Sequence, residues 1–359
     1  MINIQYYVGS IRYDIEDIVT SIKWSGDIKS ASRELSLDVI NVNESNWRHE
    51  ILKFDPGHQI RFYYNGNELF RGIIFSTDKN EAGGQTLSVY DEGKYLTVNQ
   101  DSRVFKNMTA SGIVHKMCLD FGIPIGHIAD TGFVIKNMIV RGEDLWTVFQ
   151  KSLSMTKQMT GRKYWIYFKQ GKLYLEQRNT SVSRWVIESG SNMTSASMTT
   201  SIENLRNSIK AVSGSIDDKK SITRVARDAD SIKKYGLMQE VEDVSDMKSA
   251  ALQSHAEKTL KEKNKPEIDI SVSAIGYEQV ISGRGVYAYD SLTGLTGGYY
   301  ILQDTHNFGP NGEYTMDITL SKTDDLPLET LTPDEVDELN GKSKTDTTTK
   351  KTTTTTTKK

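Results

Sequence analysis

Few residues in this chain have the type and spacing to do chemistry. His115 and Cys118 stand three apart, a ligand-like HxxC spacing, and His127 is the nearby third donor. Three nitrogen and sulfur donors from one stretch fall short of a closed tetrahedral zinc site. Cys118 also falls on the apolar face of a predicted helix, where it reads as a buried thiol. The acid pairs Glu16/Asp17 and Glu143/Asp144 could in principle supply an acid and a base, as in a wall-degrading hydrolase. Sequence-adjacent carboxylates on strands or helix starts are more often solvated charges or partners of the helix dipole. Gly283-Arg284-Gly285 lacks the third glycine of a dinucleotide fingerprint and sits between strands. The aromatic run Tyr164 to Phe168 could stack sugars or bases. Apolar residues on both of its faces argue instead for a strand buried on two sides. GxxxxGK[ST], HExxH, GxSxG and an acidic EF-hand loop are all absent. The reading assigns no catalytic, metal or cofactor-binding residue, and it expects no enzyme and no cofactor.

What the chain does carry is turn chemistry between alternating strands. From Gly57 to Asp91 the sequence GHQIRFYYNGNELFRGIIFSTDKNEAGGQTLSVYD alternates at Ile60, Phe62 and Tyr64 and then meets Asn65-Gly66. Both residues tolerate the positive φ of a tight primed turn, a strong hairpin signal. A second strand over Leu69–Phe75, a turn at Gly83-Gly84 and a third strand opening at Leu87 and Val89 follow. The layout returns from Gly283 to Leu320: a strand over Val286–Tyr289, a Gly-rich loop over Leu292–Gly298, a strand through Tyr299–Gln303, a turn at Pro310-Asn311-Gly312 and a strand with Met316, Ile318 and Leu320. The hairpin tip Asn65, Gly66, Asn67 and the loop residues Leu292, Thr293, Gly294, Gly297 and Gly298 are candidate equivalent contacts of two similar modules.

The full division is an α+β, mainly β, chain. Residues 1–98 read as one antiparallel β-barrel-like module, 99–185 as a small α+β domain and 186–325 as a second β-barrel-like module with inserted helices. A linker with a short acidic helix (326–341) and a disordered Thr/Lys tail (342–359) complete it. In the first module Val19–Trp24 alternates, Ser25-Gly26-Asp27 reads as a turn, Leu35, Leu37 and Val39 mark a half-buried strand, and Asn43–His49 reads as a loop. Thr109 caps a helix with Ile113, Val114, Met117, Cys118 and Phe121 on one face, ended by Gly122 and Pro124. A second helix runs from Glu143 to Met155, and a hairpin turns at Gln170-Gly171. Leu205–Val212 reads as a strand, Ser221–Leu237 as a loop with a broken helix, Ser245–Lys263 as a helix stopped by Pro266. Glu267–Ala274 is a strand in the place that Glu34–Ile40 holds in the first module, a weak internal repeat.

The totals bound the partners. With 359 residues the chain can bury a sizeable core, and one cysteine excludes an intrachain disulfide framework and fits a reducing compartment. The start has no basic, apolar leader, and no window approaches a membrane helix, so no membrane insertion is expected. Net charge is −3; Lys344–Lys359 carries five lysines and one aspartate, which leaves −7 on residues 1–343. That balance argues against a nucleic-acid-binding body and against sequence-specific nucleic-acid recognition.

The stretches SIKWSGDIKSASRELSLDV, GHQIRFYYNGNELFRGIIFS, FKNMTASGIVHKMCLDFGIPIG and TGLTGGYYILQDTHNF resemble the XkdQ/YqbQ family of phage-like elements in Gram-positive bacteria. These are baseplate hub proteins of contractile, myophage-type tails and of phage-tail-like bacteriocins. The resemblance covers residues 1–325 and leaves out the acidic helix and tail. It implies a virion structural protein: a homotrimeric ring in which two hub domains per subunit adapt the sixfold tail tube to the threefold central spike. The implied partners are the chain itself, the tail tube protein, the central spike or tip protein, baseplate wedge proteins and a LysM-type tail protein. The implied location is the baseplate of a phage, prophage or bacteriocin particle assembled in the host cytoplasm. The alternative is a tail-tip protein with cell-wall hydrolase or receptor-binding activity.

Overall fold

A computed structural model of the chain describes residues 1–40, 52–81, 84–178, 182–214, 221–244, 247, 249–309, 312–324 and 331. The expected loop at Asn43–His49, Gly83 of the second turn, the Pro310-Asn311 half of the third, the acidic helix and the Thr/Lys tail lie outside them, Leu331 excepted.

The chain is mainly β. The first module holds β1 (Ile2–Val8), β2 (Ile11–Asp14), β3 (Val19–Asp27), β4 (Glu34–Ile40), β5 (Gln59–Tyr64), β6 (Asn67–Lys79) and β7 (Gly84–Tyr90). They pair in the order β3-β4-β7-β6-β5-β1-β2. Alternation decides which face is buried: Leu35, Leu37, Val39, Ile60, Phe62, Leu87 and Val89 all point into one core with Trp24, Tyr6 and Phe54. The short helix α1 (Lys94–Val98) then leads out.

The middle of the chain builds a separate core from β8 (Gln100–Thr109), α2 (Ala110–Asp120), β9 (Ile125–Ile128), β10 (Val134–Asp144), α3 (Leu145–Thr160), β11 (Tyr164–Lys169) and β12 (Lys172–Gln177). The Thr109 side chain accepts from Gly112 N at 3.0 Å, as expected of an N-cap. The second helix starts at Leu145 rather than Glu143, because the Asp144 carboxylate caps Thr147 N at 2.9 Å. It runs on to a left-handed Gly161. The aromatic strand is not buried on two sides. Tyr164, Ile166 and Phe168 face the core, while Trp165 and Tyr167 stack outside it with ring centroids 4.5 Å apart. Stacking covers enough apolar area to leave one face half-exposed.

The second module holds β13 (Val182–Glu188), β14 (Met193–Ser201), β18 (Glu267–Ile275), β19 (Gly285–Asp290), β20 (Leu295–Phe308) and β21 (Tyr314–Ser321). Between β14 and β18 the chain makes a small satellite: β15 (Ser208–Ser213), β16 (Ile222–Arg227), α4 (Ala229–Tyr235), β17 (Gln239–Asp243) and α5 (Ser249–Lys263). Leu252 and Ala256 of α5 pack on Ile209, Ala211 and Ala226. The stretch expected as a loop with a broken helix is thus a strand and a helix, and the expected strand 205–212 begins at Ser208.

The repeat expected from layout is visible in register. The second module pairs in the order β14-β18-β21-β20-β19-β13, which matches β3-β4-β7-β6-β5-β1 strand for strand. Each long central strand splits its partners. Ile73 of β6 faces both Gln59 and Tyr90, and Tyr300 of β20 faces both Gly285 and Ser321. Each carries a bulge just after that point, between Ile74 and Ser76 and between Ile301 and Gln303. β3 and β14 share a second bulge, between Val19 and Ser21 and between Met193 and Ser195. Gly57 N donates to Ile74 O at 2.8 Å and Gly283 N to Ile301 O at 3.0 Å, with φ of +94° and +89°. The modules differ at one end: β1 meets β5 antiparallel, whereas β13 meets β19 parallel.

These two glycines give a test. Gly57→Ala forces a side chain into a conformation that L residues avoid and is expected to cost about 1–3 kcal/mol. Gly283→Ala is expected to cost more, because its Cβ would also lie 2.3 Å from the Trp165 ring. Urea denaturation followed by circular dichroism measures both. A neutral Gly57→Ala would refute the conformational requirement.

Candidate assembly site: the seam between the modules

The two modules are not separate sheets. Residues 303–308 of β20 pair antiparallel with residues 27–22 of β3, so both modules share one 13-stranded sheet. This corrects the reading of Ser25-Gly26-Asp27 as a turn. Those residues continue β3, opposite Thr305, Asp304 and Gln303, because a paired edge holds them extended. The chain turns one step later, where Ile28 N donates to Leu302 O at 2.9 Å and Ser30 N to Asp27 O at 3.0 Å.

The core side of the seam is charged. Arg33 reaches from the start of β4 and grips both oxygens of the Asp304 carboxylate, with Nη1 at 3.0 Å from Oδ1 and Nη2 on Oδ2. Its guanidinium lies 4.1 Å over the Trp24 ring. Ser282 N donates to Asp304 Oδ1 at 2.5 Å. His306 Nε2 faces two acceptors, Asp304 Oδ2 at 3.2 Å and Val280 O at 3.1 Å, so that nitrogen carries the proton. Nδ1 then accepts from the Tyr314 hydroxyl at 2.9 Å. Gly26 makes room for this arrangement: a Cβ there would sit 2.1 Å from Arg33 Nη1 and 2.8 Å from Ser282 Oγ.

Asp304 and His306 are 1% and 0% exposed. Burial alone would raise the Asp304 carboxyl. The Arg33 charge, with hydrogen bonds from His306 and Arg33, outweighs it and holds the group far below the usual carboxylate range. Burial pushes the Tyr314 hydroxyl well above its ordinary value. Beside the seam, Asp91 accepts from Arg33 N at 3.1 Å and Gly93 N at 2.9 Å. Burial dominates there and raises its carboxyl to about 7.

Cys118, Glu143 and Asp144, weighed for chemistry in the sequence, have structural places. Cys118 is fully buried and its thiol is pushed up to about 12 by burial, far from a reactive thiolate. Glu143 pairs with Lys151 at 2.6 Å, and Asp144 caps its helix. Among the described residues no group of three or more His, Cys, Asp or Glu could hold a metal ion. A cavity of about 60 Å³ lies where the modules meet the middle core, beside Asp27, Arg33, Asp91 and Trp165. That is room for a few waters; a wider cleft of about 460 Å³ lies beside it, lined by Trp24, Arg33, Arg71, Asp91 and Arg284.

The candidate contact residues fall at two equivalent tips. Asn65 (φ 49°) and Gly66 (φ 81°) turn the β5–β6 hairpin, and Asn67 opens β6. Asn65 N donates to Met1 O at 2.9 Å. Leu292, Thr293 and Gly294 turn the matching β19–β20 hairpin, where Thr293 N and Oγ1 bond Asp290 Oδ2 at 2.8 and 2.6 Å. Leu292 is 95% exposed. Gly297 and Gly298 do not belong to that loop: they lie inside β20, opposite Ala288 and Tyr287. The strand begins at Leu295, four residues earlier than the bulky Tyr299 suggested.

Sequence reasoning missed Arg33, Asp304 and His306. A period of two from Ile301 points Gln303, Thr305 and Asn307 inward, but the bulge at Leu302 reverses the phase. The matching pattern around Ile74 was the only available signal.

The YQBQ-like family model matches residues 22–321, which spans both modules and the seam. The chain belongs to the YQBQ-like family. It is 32% identical over 316 residues to the uncharacterized protein YqbQ of Bacillus subtilis (strain 168), covering 87% of this chain and 95% of that one. It is 31% identical over 318 residues to the phage-like element PBSX protein XkdQ of the same organism, again 87% and 95%. Its fold is similar to that of a solved prophage MuSo2 43 kDa tail protein from Shewanella oneidensis, with a TM-score of 0.67 at 14% identity over 89% of this chain and 98% of that one.

Two predictions follow from the geometry of this YQBQ-like seam. Arg33→Met or Asp304→Leu alone leaves one buried charge unpaired and is expected to cost about 3–5 kcal/mol. The double variant is expected to lose clearly less than the sum of the two in urea denaturation. Strict additivity would show that the pair is not coupled. Asp91 titrates the opposite way from a salt-bridged acid. Its folded value is raised from 3.8 to about 7, so its contribution is full below 3.8 and is lost as pH rises through about 7. Asp91→Asn is therefore expected to flatten the fall in stability across that window. An unchanged pH profile would refute the burial of an ionisable Asp91.

Proposed function

We propose that this chain is a non-enzymatic structural hub of a phage-tail baseplate, in which copies close into a ring that joins tail tube to spike. The observation that carries the reading is the register-matched duplication within one continuous sheet. Two modules with the same strand order, bulges and glycine contacts present similar surfaces twice per chain. Three copies then present six. A threefold assembly thereby meets a sixfold tube without six identical chains, and closed cyclic rings are the common form of oligomer.

The relatives support the same reading. XkdQ is named as a protein of a phage-like element, and the solved structure of similar fold is a prophage tail protein. In the ring, the tips at Asn65–Asn67 and Leu292–Gly294 are equivalent contacts to the tube or to wedge proteins, since each closes the same hairpin of its module. The spike sits on the threefold side, and DNA or ions pass through the lumen without sequence reading. The particle end is the working location. The hub acts mechanically, holding the tube end and passing on the force of sheath contraction.

The test is the mass and shape of the purified full chain, alone and mixed with the tube and spike proteins of the same particle. A trimer mass and threefold rings with six similar lobes in electron micrographs are expected. A chain that stays monomeric beside both partners would overturn the reading.

A further inference from the structure

Within the chain, β3 is covered on its second edge by the second half of β20. The counterparts of these strands are β14 and the second half of β6, and among the described residues neither has such a cover. Among the described residues β14 pairs only with β18 from Ala196 to Ser201, and Ser76–Lys79 of β6 pairs only with β7. The two open edges lie toward opposite ends of the sheet.

Three observations show that β14 is built to be covered. Its sequence, MTSASMTTS, has no charge and no proline, the devices that protect an edge meant to stay free. By contrast the terminal strand β2 is four residues long and carries Arg12 and Asp14. Ala196 and Met198 are half-buried where their counterparts Ile22 and Trp24 are 6% and 4% exposed beneath β20. Ile268, at the position Arg33 holds in the first module, is an aliphatic side chain left 48% exposed beside this edge.

We infer that β14 of one copy of this chain pairs, antiparallel, with the second half of β6 of a neighbouring copy, in the register that β3 and β20 use internally. Matching the bulges sets that register. Ser201 lies opposite Ser76, Thr200 opposite Thr77, Thr199 opposite Asp78 and Met198 opposite Lys79. Ile202 N donates to Phe75 O as Ile28 N does to Leu302 O. Ile268 then lies over Thr77, the counterpart of Asp304, so the second seam replaces the ion pair by an apolar contact. The second copy is the occupant because this chain itself carries, at its other end, a strand with the matching bulge and an open edge over Ser76–Lys79. The contact is head-to-tail, which closes a ring or propagates, depending on the angle.

The inference deepens the hub reading and rests on self-assembly, but not on three copies. The test is interchain disulfide formation in the full chain, with the pairs Thr77→Cys/Thr200→Cys and Asp78→Cys/Thr199→Cys. Antiparallel pairs alternate between wide and close spacing, so one of two adjacent pairs has the disulfide geometry. Buried Cys118 does not compete. The control is the off-register pair Thr77→Cys/Ser197→Cys. Mild oxidation of assembled protein is expected to give covalent multimers from one in-register pair, about tenfold or more above the control. Assembled protein with no excess over the control from either pair overturns the inference while leaving the ring intact. Strong cross-links in an assembly that is not threefold uphold the inference and overturn the hub ring. Ile268→Asp, at an exposed site, is expected to leave the circular dichroism spectrum unchanged and weaken assembly by about tenfold or more. Unchanged assembly would count against the inference.

Discussion

The backbone pairing of β3 with β20 is the constraint on which the rest depends. Strands 270 residues or more apart must meet before the first module can finish its core, because Phe308 packs among Phe62, Tyr64 and Tyr314. A residue of the second module thus completes the core of the first. The main-chain groups of residues 22–27 leave water only when β20 arrives, and each left unpaired would cost the desolvation of a peptide group. The modules therefore do not behave as beads on a string, and the middle core hangs from a sheet already closed on both sides of it. Arg178 and Lys163 fasten Asp324 back to that middle body, so the end of β21 is held as well.

The matched register of the modules shows what physics requires where side chains differ. Leu35, Leu37 and Val39 answer to Ile270, Val272 and Ala274, and Gln85, Leu87 and Val89 to Met316, Ile318 and Leu320. The side chains change and their inward phase does not, since a one-residue slip would turn every one of them to solvent. Bulges and positive-φ glycines persist for a stricter reason. They set the phase itself, and only glycine takes the backbone angle at residues 57 and 283 at no steric cost.

That distinction explains what could be read in the sequence. Clean alternation made β4, β5, β7 and β18 legible, and Asn65-Gly66 announced its hairpin. The helix at Thr109 was legible from cap and spacing together. β8 was not, because only Phe105 of its ten residues is buried and no period emerges. β10 was not, because its buried residues Ile135, Met138 and Val140 are spaced by three and then two. At the seam the failure was different in kind. Gly26 looked like a turn residue, but it is needed for the close approach of Arg33, a requirement set by a side chain and a carboxylate far away in sequence. Asp304 and His306 looked outward because an unseen bulge had reversed the phase.

The buried ion pair also bears on how two similar seams avoid being confused. A buried Arg–Asp pair is weak evidence of stability, since its desolvation is large, but it can specify which surfaces meet. Four open edges of two kinds exist before the sheet closes: β3 and β14 on one side, β20 and the second half of β6 on the other. Were β14 to take β20, Ile268 would cover Asp304 and leave its carboxylate buried without a cation. Were β3 to take β6, Arg33 would lie over Thr77 and lose its anion. Each exchange strands a charge at about 3–5 kcal/mol, whereas the native seam pairs Arg33 with Asp304 and the proposed second seam has Ile268 and Thr77 at those two positions. The buried ion pair thus sits in the seam that closes within the chain, and Ile268 and Thr77 stand in its place on the edges left for another copy. On the proposed pairing, a single ionic contact, placed in the seam within the chain, tells a molecule's own strand from its neighbour's.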